Sequence, residues 1–300
     1  MAPRRDEITA ELAARLVAEQ FPAWAHLPVV PVAESGWDNR TFRLGDAMTV
    51  RLPTAEHYVA AVEKEHRWLP RLAPRLPLPI PAPLALGAPG AGFPWPWSVR
   101  RWIDGRPAAP DRIADLTVFA DDLARFLLAL WGADAARGPA AGAHSFHRGG
   151  SLAVDDGETR TALATLGPWI DAAATGRMWQ AALAATRTGP PVWFHGDVAV
   201  GNLLVDGAGR LSAVIDFGTS GVGDPACDLV IAWTLFDGAA RARFVGAVGR
   251  DPDTWARARG WALWKALITL AAPDAPPDDR HGAARTLDRL LAAPEPHSLR

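Results

Sequence analysis

The chain has 300 residues, 49% of them hydrophobic, and a formal net charge of −2 at pH 7. This length is enough for a sizeable core and for two lobes. The near-neutral charge, without a long run of like charges, argues against a nucleic-acid-binding protein and against a charged tail. Cys227 is the sole cysteine, so no disulfide can form within the chain, and a reducing compartment is compatible with the sequence.

The first hundred residues predict an N-terminal helix and then strands interrupted by a second helix. Apolar residues at helical spacing, interrupted by charges, predict a helix up to about residue 21, capped by Thr9 or Asp6, and argue against a secretory signal peptide. Strands are predicted at 29–53 and a helix at 56–72. The stretch at 74–97 is too rich in proline to form one helix, and a strand is predicted at 97–103.

The remaining two hundred residues predict mainly helices. The turn at 104–107 marks a lobe boundary, and a long amphipathic helix with Asp111 as its cap follows at 111–131. The stretch at 132–158 is expected to be irregular, and helices are predicted at roughly 159–186. Short strands are predicted at 191–217, and the chain from 225 onwards is expected to be helical. No internal repeat is present. The pattern predicts an α+β fold, with a small strand-rich lobe (1–104) before a larger, mostly helical lobe (105–300).

One stretch, HGDVAVGNLLVDGAGRLSAVIDFG at 195–218, combines polar residues with two apolar runs. The runs NLLV and LSAVI, joined by DGAGR, predict a hairpin. Because Asn202 precedes the first strand and Asp216 ends the second, their oxygens are expected to converge as ligands of Mg²⁺, which takes few protein oxygens and completes its shell with water and phosphates. Asp197, on the loop before Asn202, is predicted to accept a proton from an attacking hydroxyl. The alternative is a polar turn between two strands.

These residues resemble the aminoglycoside phosphotransferase family, whose pattern is H-G-D-x-x-x-x-N, a strand pair and then I-D-F/W-G. The pattern matches His195 to Asn202 and Ile215 to Gly218, and GDPACDL at 223–229 is similar to the family's G-D-P-x-x-D-L. The resemblance covers most of the chain. It implies a bilobal protein-kinase-like fold, with a nucleotide-binding N-terminal lobe that includes the hinge and a catalytic, substrate-binding C-terminal lobe. It also implies ATP or GTP as co-substrate and Mg²⁺ as cofactor.

The resemblance further implies a strand cation that contacts the α- and β-phosphates. Kinases use a lysine there, whereas the equivalent strand AMTVRLP carries Arg51. Arginine can hold phosphate with two hydrogen bonds, but its geometry and bulk differ from those of lysine. Glu65 on the next helix is the expected partner of Arg51, and Glu63 is the alternative. Residues two apart on a helix face different ways, so only one of the two can be the partner. Lys64, between them, is the nearest lysine in sequence.

The remaining nucleotide contacts are implied by position. ESGWDNR at 34–40 would cover the phosphates; it holds one glycine and is not a G-x-G-x-x-G loop. The predicted contacts within it are Ser35, Gly36 and Asn39. The strand WSVRRWIDG would be the hinge, with adenine bound to the backbone near Arg100, Arg101 and Trp102.

Three residues of the two motifs have structural interpretations. His195 ends an apolar strand, so its ring is expected to point inward and to hydrogen-bond the loop. Asp224 is expected to cap a helix that starts at Pro225, or alternatively to brace the catalytic loop or meet substrate. Asp228, one turn further on, could accept hydrogen bonds from loop amides.

The resemblance leaves the acceptor open. The short segment between Gly218 and Asp224 leaves no room for a long activation segment, which favours a small-molecule hydroxyl over a protein substrate. Six aspartates within 216–253 would suit a cationic aminoglycoside. Trp261 and Trp264 share a helix face, which is either core or the wall of a pocket for a larger, partly apolar substrate such as a macrolide.

The sequence therefore predicts a cytoplasmic, monomeric kinase that transfers the γ-phosphoryl group of ATP or GTP to a small molecule, with an antibiotic as the favoured acceptor. It is expected to bind neither nucleic acid nor a membrane. The alternatives are a kinase of a small metabolite such as choline, homoserine or a sugar, a nucleotide-binding pseudokinase, and a metal-dependent phosphoesterase with His195, Asp197 and Asp216 as ligands. The phosphoesterase leaves the order of Arg51 and Glu65 unexplained.

Overall fold

The structure is a computed structural model that describes residues 3–32 and 36–292, so the predicted phosphate contact Ser35 lies outside the described residues. The N-terminal part is built on an antiparallel sheet with the strand order β1-β2-β3-β5-β4. Its strands are β1 (Val29–Pro31), β2 (Asn39–Leu44), β3 (Met48–Pro53), β4 (Pro83–Gly87) and β5 (Trp97–Arg101). The central strand β3 pairs with β2 and β5, which places Arg51 between Thr41 and Ser98.

Two helices accompany this sheet, α1 (Ala10–Gln20) and α2 (Val59–Leu72). Thr9 caps the start of helix α1, because its hydroxyl accepts a hydrogen bond from the backbone N–H of Leu12. Thr9 is one of the two caps that the sequence predicted. The buried face of α1 packs with apolar residues of the sheet in one hydrophobic cluster that runs from Ile8 to Val99.

Helix α2 connects this small lobe to the larger one. Its C-terminal half contributes Trp68, Leu69 and Leu72 to a second, larger hydrophobic cluster, which extends to Leu290. The small antiparallel lobe and the helical lobe therefore have separate cores, and α2 is packed between them. The exact division of the chain at residue 104 stays a prediction.

The larger lobe is mostly helical. Its helices are α3 (Leu116–Trp131), α4 (Asp156–Leu166), α5 (Ala172–Ala184), α6 (Ile231–Thr234), α7 (Gly238–Val248), α8 (Pro252–Ala271) and α9 (Pro277–Ala292). Its short strands are β6 (Arg106–Pro107), β7 (Val192–Phe194), β8 (Leu203–Val205), β9 (Leu211–Val214) and β10 (Gly221–Gly223). They form two small antiparallel sheets, β6-β8-β9 and β10-β7. Within the part of the chain that the structure describes, no helix combines the length and apolarity needed to span a bilayer.

The predicted α+β architecture is confirmed, with local differences. Asp115, and not Asp111, caps α3: its carboxylate accepts hydrogen bonds from the N–H groups of Thr117 and Val118. The residues between Asp111 and Asp115 lie before the helix, which begins only at Leu116. The stretch expected to be irregular up to 158 contains two short 3₁₀ helices, and α4 starts within it, at Asp156.

Candidate active site

The predicted hairpin forms and brings two of the candidate residues together. Leu203 of β8 pairs with Val214 of β9, and the N–H of Ile215 donates to the carbonyl of Asn202 over 2.9 Å. Asn202 therefore lies beside the chain that continues into Asp216. The backbones are thus adjacent, and the convergence of the two side-chain oxygens on a metal ion stays a prediction.

Asp197 and Asn202 are in direct contact. The Asn202 side-chain nitrogen donates to Asp197 Oδ2 over 2.8 Å and to the Asp197 carbonyl over 3.0 Å. These bonds orient the amide of Asn202, because its nitrogen is held by the loop and its oxygen is the remaining atom that can bind a metal ion. Asp197 is itself exposed, so an incoming hydroxyl can reach it.

His195 lies under this loop and is fully buried. Its Nδ1 accepts a hydrogen bond from the N–H of Asp197 over 3.2 Å, so the ring hydrogen is on Nε2, which donates to the carbonyl of Ile215 over 2.9 Å. The ring thus connects the loop to the end of β9. The predicted inward, structural orientation of His195 is confirmed.

Asp228 holds the same loop from the other side. Its buried carboxylate accepts hydrogen bonds from the backbone N–H groups of His195 and Gly196 and from the indole of Trp131. Burial raises the pKa of Asp228, and these donors act in the opposite direction. Gly196 has φ +88°, and a Cβ there would lie 2.9 Å from the Thr219 carbonyl, so glycine is required.

Asp224 has a structural role of its own. Its carboxylate caps the 3₁₀ turn at Pro225–Val230 through the N–H of Ala226, as predicted. It also forms a buried ion pair with Arg257, with 2.6 Å between Oδ2 and Nε. This pair ties the GDPACDL segment to helix α8.

Asp216 follows β9 with φ 65° and ψ 71°, a left-handed conformation that aspartate tolerates better than most residues. Its Oδ1 lies 3.3 Å from Nη2 of Arg51, which reaches across from the central strand of the other lobe. The sequence did not foresee this direct contact. It places a cation from the N-terminal sheet beside a predicted metal ligand.

The predicted pair of Arg51 and Glu65 is wrong. Glu65 gives both carboxylate oxygens to Arg100, over 3.0 and 2.7 Å, and both side chains are buried. Glu63, the rival, has no part in this pair. Arg100 on the neighbouring strand takes both carboxylate oxygens of Glu65, while the guanidinium of Arg51 is directed to Asp216.

This pair involves a residue of the predicted hinge. The backbone of Arg100 is paired with Thr49 on one side and Pro83 on the other, and its side chain is occupied by Glu65. The side chain of Arg100 is therefore taken by Glu65, whereas contact of the nucleotide with the backbone near Arg100 stays a prediction. Arg101, at the exposed end of β5, and Trp102, whose N–H donates to the carbonyl of Ala47, remain at the predicted position.

The predicted phosphate loop is held by an N-terminal residue. The Gly36 and Trp37 carbonyls accept hydrogen bonds from the guanidinium of Arg5, and Gly36 is exposed. Asn39 begins β2, opposite Pro53. Arg5 uses the carbonyls of this turn, whereas a phosphate would need its N–H groups. The contact of the turn with phosphate stays a prediction.

Asp38, in the same loop, was missed by the sequence analysis. Its pKa is raised to about 6, first by burial and then by the negative charge of Asp216, with a smaller contribution from Asp197. A Cβ built on Gly218 would lie 3.5 Å from Asp216 Oδ1 and 3.8 Å from Asp38 Oδ2, so the two carboxylates flank the same point. The only sequence sign was an acid inside a loop predicted to face phosphates.

Asn202 and Asp216 offer only oxygen atoms, which suit a hard divalent cation such as Mg²⁺. Among the described residues, no three histidine, cysteine or acidic side chains have the arrangement of a complete metal site. An ion here would therefore take its remaining ligands from phosphates and water. Asn202 and Asp216 fit this description as the residues that would hold it.

A second cation, Arg148, interacts electrostatically with Asp197. The guanidinium of Arg148 stacks over the rings of Trp264 and Trp261, 4.2 and 5.2 Å from their centroids. Burial lowers the pKa of Arg148, and Cys227, Asp197 and two further acids attract its charge. Both tryptophans are buried, so they are core residues that support Arg148. The sequence gave no sign of this arrangement, because Arg148 lies in the irregular stretch.

Comparisons with known proteins agree with this geometry. The model of the phosphotransferase enzyme family matches residues 29–261. The comparison with curated proteins gave no match. Among solved structures, wild-type aminoglycoside 2'-phosphotransferase-IIIa in complex with GDP superimposes with a TM-score of 0.69 at 16% identity, covering 95% of this chain and 99% of that one.

Two further structures are similar. One is the ternary complex of streptomycin, ATP and APH(2")-IIa, with a TM-score of 0.59 at 17% identity, covering 94% of this chain and 96% of that one. The other is the apoenzyme of macrolide 2'-phosphotransferase MphH from Brachybacterium faecium, with a TM-score of 0.56 at 24% identity, covering 93% and 97%. At such identities the likenesses establish the kinase-like fold. The family match spans well over half of the chain and confirms the resemblance seen in the motifs, and the chain therefore belongs to the phosphotransferase enzyme family.

Proposed function

We propose that this phosphotransferase moves the γ-phosphoryl group of ATP or GTP to a hydroxyl group of a small molecule in the cytoplasm. The observation that carries the proposal is the contact of Asp197 with Asn202 on one side of the hairpin and of Asp216 with Arg51 on the other. Together they provide a base, an oxygen pair for a metal ion and a phosphate-binding cation in one place.

Asp197 acts as the catalytic base in this proposal. It is exposed and held by Asn202, and it accepts the proton of the attacking hydroxyl as the bond between that oxygen and the γ-phosphorus forms. The bond from the γ-phosphorus to the bridging oxygen breaks, and the nucleoside diphosphate leaves with that electron pair. Arg51 neutralises charge on the phosphates.

Asn202 and Asp216 would hold Mg²⁺, which supplies charge neutralisation on the phosphates when bound. Residues 1–104 would form the nucleotide-binding lobe, with Gly36, Asn39 and the unplaced Ser35 over the phosphates. Adenine or guanine would contact the backbone near Arg100, Arg101 and Trp102. Residues 105–300 would bind the acceptor.

We favour an antibiotic acceptor, an aminoglycoside or a macrolide, because proteins of similar fold act on these two classes according to their names. Antibiotic resistance would then be the physiological role. A kinase of a small metabolite remains the alternative. Arg148, whose charge interacts with that of Asp197, is a candidate contact of the acceptor.

A pseudokinase would bind nucleotide without turnover. The replacement of lysine by Arg51 is the feature that favours it. The contact between Arg51 and Asp216 argues against it, because the arginine occupies a position where it can still serve the phosphates.

A panel assay tests the proposal. The purified full chain is incubated with Mg²⁺, with ATP or GTP, and with single aminoglycosides, macrolides, choline, homoserine or sugars, and the product mass is measured. A gain of one phosphoryl group on any acceptor supports the kinase and names the acceptor class. Metal-dependent nucleotide binding without product on the whole panel favours the pseudokinase, and the absence of nucleotide binding contradicts the proposal.

A further inference from the structure

Lys64 of helix α2 is one of two lysines in the chain and lies buried between the lobes. Its Nζ donates to the carbonyl of Gly218 over 2.7 Å and to that of Ser220 over 2.8 Å. The carbonyl and the Nδ1 atom of His144 are 3.2 and 3.3 Å away. A side chain of the small lobe thus binds backbone carbonyls of the large lobe.

The hydrogen bonds of Lys64 use its whole ammonium group. His144 Nε2 lies 2.7 Å from the carbonyl of Ala140, which can only accept, so the ring hydrogen is on Nε2 and the lone pair of Nδ1 faces Lys64. The three ammonium hydrogens then point to Gly218, Ser220 and His144. Lys64 is fully occupied and is not a substitute for a phosphate-binding lysine.

The carbonyls that Lys64 binds belong to the turn directly after Asp216. Residues 217–219 form a short 3₁₀ helix, and Thr219 is tied to the catalytic loop by a hydrogen bond from its hydroxyl to the His195 carbonyl. Asp216 directly precedes this turn and has a left-handed backbone. The position of the turn therefore determines where the Asp216 carboxylate points. Removing the donor would leave two buried carbonyls without this partner, which destabilises the observed position of the turn.

Helix α2 offers Lys64 a fixed support. The adjacent Glu65 is bound to Arg100 in the centre of the sheet, so the helix is fastened to the small lobe at the next residue. Burial lowers the pKa of Lys64 to about 8, and the charges of Glu65 and Asp216 partly restore it, so the group is mostly protonated at neutral pH.

We propose that Lys64 is a positioning residue that fixes the turn at 217–220, and with it Asp216, in the geometry needed to bind metal and nucleotide. The inference rests on the proposed function. Lys64 acts through the two carbonyls and touches neither substrate nor metal. The small lobe would thereby set the geometry of a metal ligand that belongs to the large lobe.

The test compares Lys64→Met with Lys265→Met, which changes the exposed lysine of α8. Mg²⁺ is titrated into each full-length protein at a fixed concentration of a non-hydrolysable ATP or GTP analogue. We expect Lys64→Met to need at least tenfold more Mg²⁺ for half-saturation, and Lys265→Met to match the wild type. Leu287→Ala, a cavity variant in helix α9, controls for lost stability and should leave the Mg²⁺ dependence unchanged.

An unchanged Mg²⁺ dependence in folded Lys64→Met overturns the inference and leaves the proposed function intact. Should that variant not fold, nitrogen NMR on wild-type protein labelled at the lysine Nζ atoms replaces it, since only two signals arise and Lys265→Met assigns them. The Lys64 signal should shift on adding Mg²⁺ and the analogue, and the Lys265 signal should not. If the Lys64 signal does not shift at a saturating concentration of the analogue, the inference is overturned. If the wild-type protein does not bind the nucleotide analogue at all, both the proposed function and the inference are overturned.

Discussion

Glu65 and Arg100 form a buried ion pair in which each carboxylate oxygen accepts a hydrogen bond from a different guanidinium nitrogen. The side chains are 3% and 2% exposed, and the remaining Nε of Arg100 donates to the hydroxyl of Ser98. The pair joins helix α2 to the centre of the sheet. Because each charge is desolvated, each depends on the other for compensation.

Arg100→Met should lower the free energy of unfolding by about 3–5 kcal/mol, because it leaves a buried carboxylate without its partner. Urea denaturation measures this, and Arg101→Met, which changes the exposed neighbour on the same strand, is the control. The double variant Glu65→Leu with Arg100→Met should recover most of the loss. A single-variant loss as small as that of the control would contradict the importance of the pair.

The same pair predicts a pH dependence of stability. Burial alone would raise the pKa of Glu65, but the charge and hydrogen bonds of Arg100 outweigh it and lower the pKa to about 2, from 4.5. The stabilisation is therefore complete above pH 4.5 and is lost as the pH falls towards 2. Thermal unfolding between pH 5 and 2 should be less pH-dependent in Glu65→Gln than in the wild type. Parallel curves for the two proteins would refute this assignment.

The sequence predicted the hairpin of the site better than its cross-lobe contacts. Asn202 and Asp216 flank two apolar runs, so local pairing rules suffice to bring them together. The partners of Glu65 and Arg51 depend on the register of three strands and on how α2 packs, and spacing along the chain does not report these. Arg148 lies in a stretch without periodicity, so its stacking on two helix α8 tryptophans is a purely tertiary contact.

Asp38 should make the metal-free protein less stable as the pH rises. Its pKa is raised to about 6 by burial and by Asp216, so the folded state favours the protonated acid, and stability is lost as the pH increases from about 4 through 6. Asp38→Asn should lack this decline. Unfolding temperatures recorded in a chelating buffer between pH 4 and 7 check the expectation, and a decline of equal size in both proteins would assign it to other groups.

Arg51→Met should weaken nucleotide binding and leave the fold intact. Arg51 contacts Asp216 through a half-buried guanidinium, and its loss would remove positive charge beside the phosphates. We expect the Kd for the nucleotide with Mg²⁺ to rise by about 10- to 100-fold, on the order of one charge-assisted hydrogen bond. Calorimetric titration measures this. Arg51→Lys should retain part of the affinity, and wild-type affinity in the methionine variant would remove Arg51 from the site.

Asp197→Asn separates the base from the rest of the machinery. Asparagine preserves the shape of the side chain and can still accept a hydrogen bond from Asn202, so nucleotide affinity should stay within about threefold of the wild type, a change of less than 1 kcal/mol. Turnover should fall by about 10²- to 10⁴-fold, because the amide cannot take the proton of the attacking hydroxyl. Product mass over time gives the rate, and Asp274→Asn, at an exposed aspartate between α8 and α9, is the matched control. Comparable turnover in Asp197→Asn and the control would mean that the hydroxyl proton leaves by another route, and that Asp197 serves only to orient Asn202.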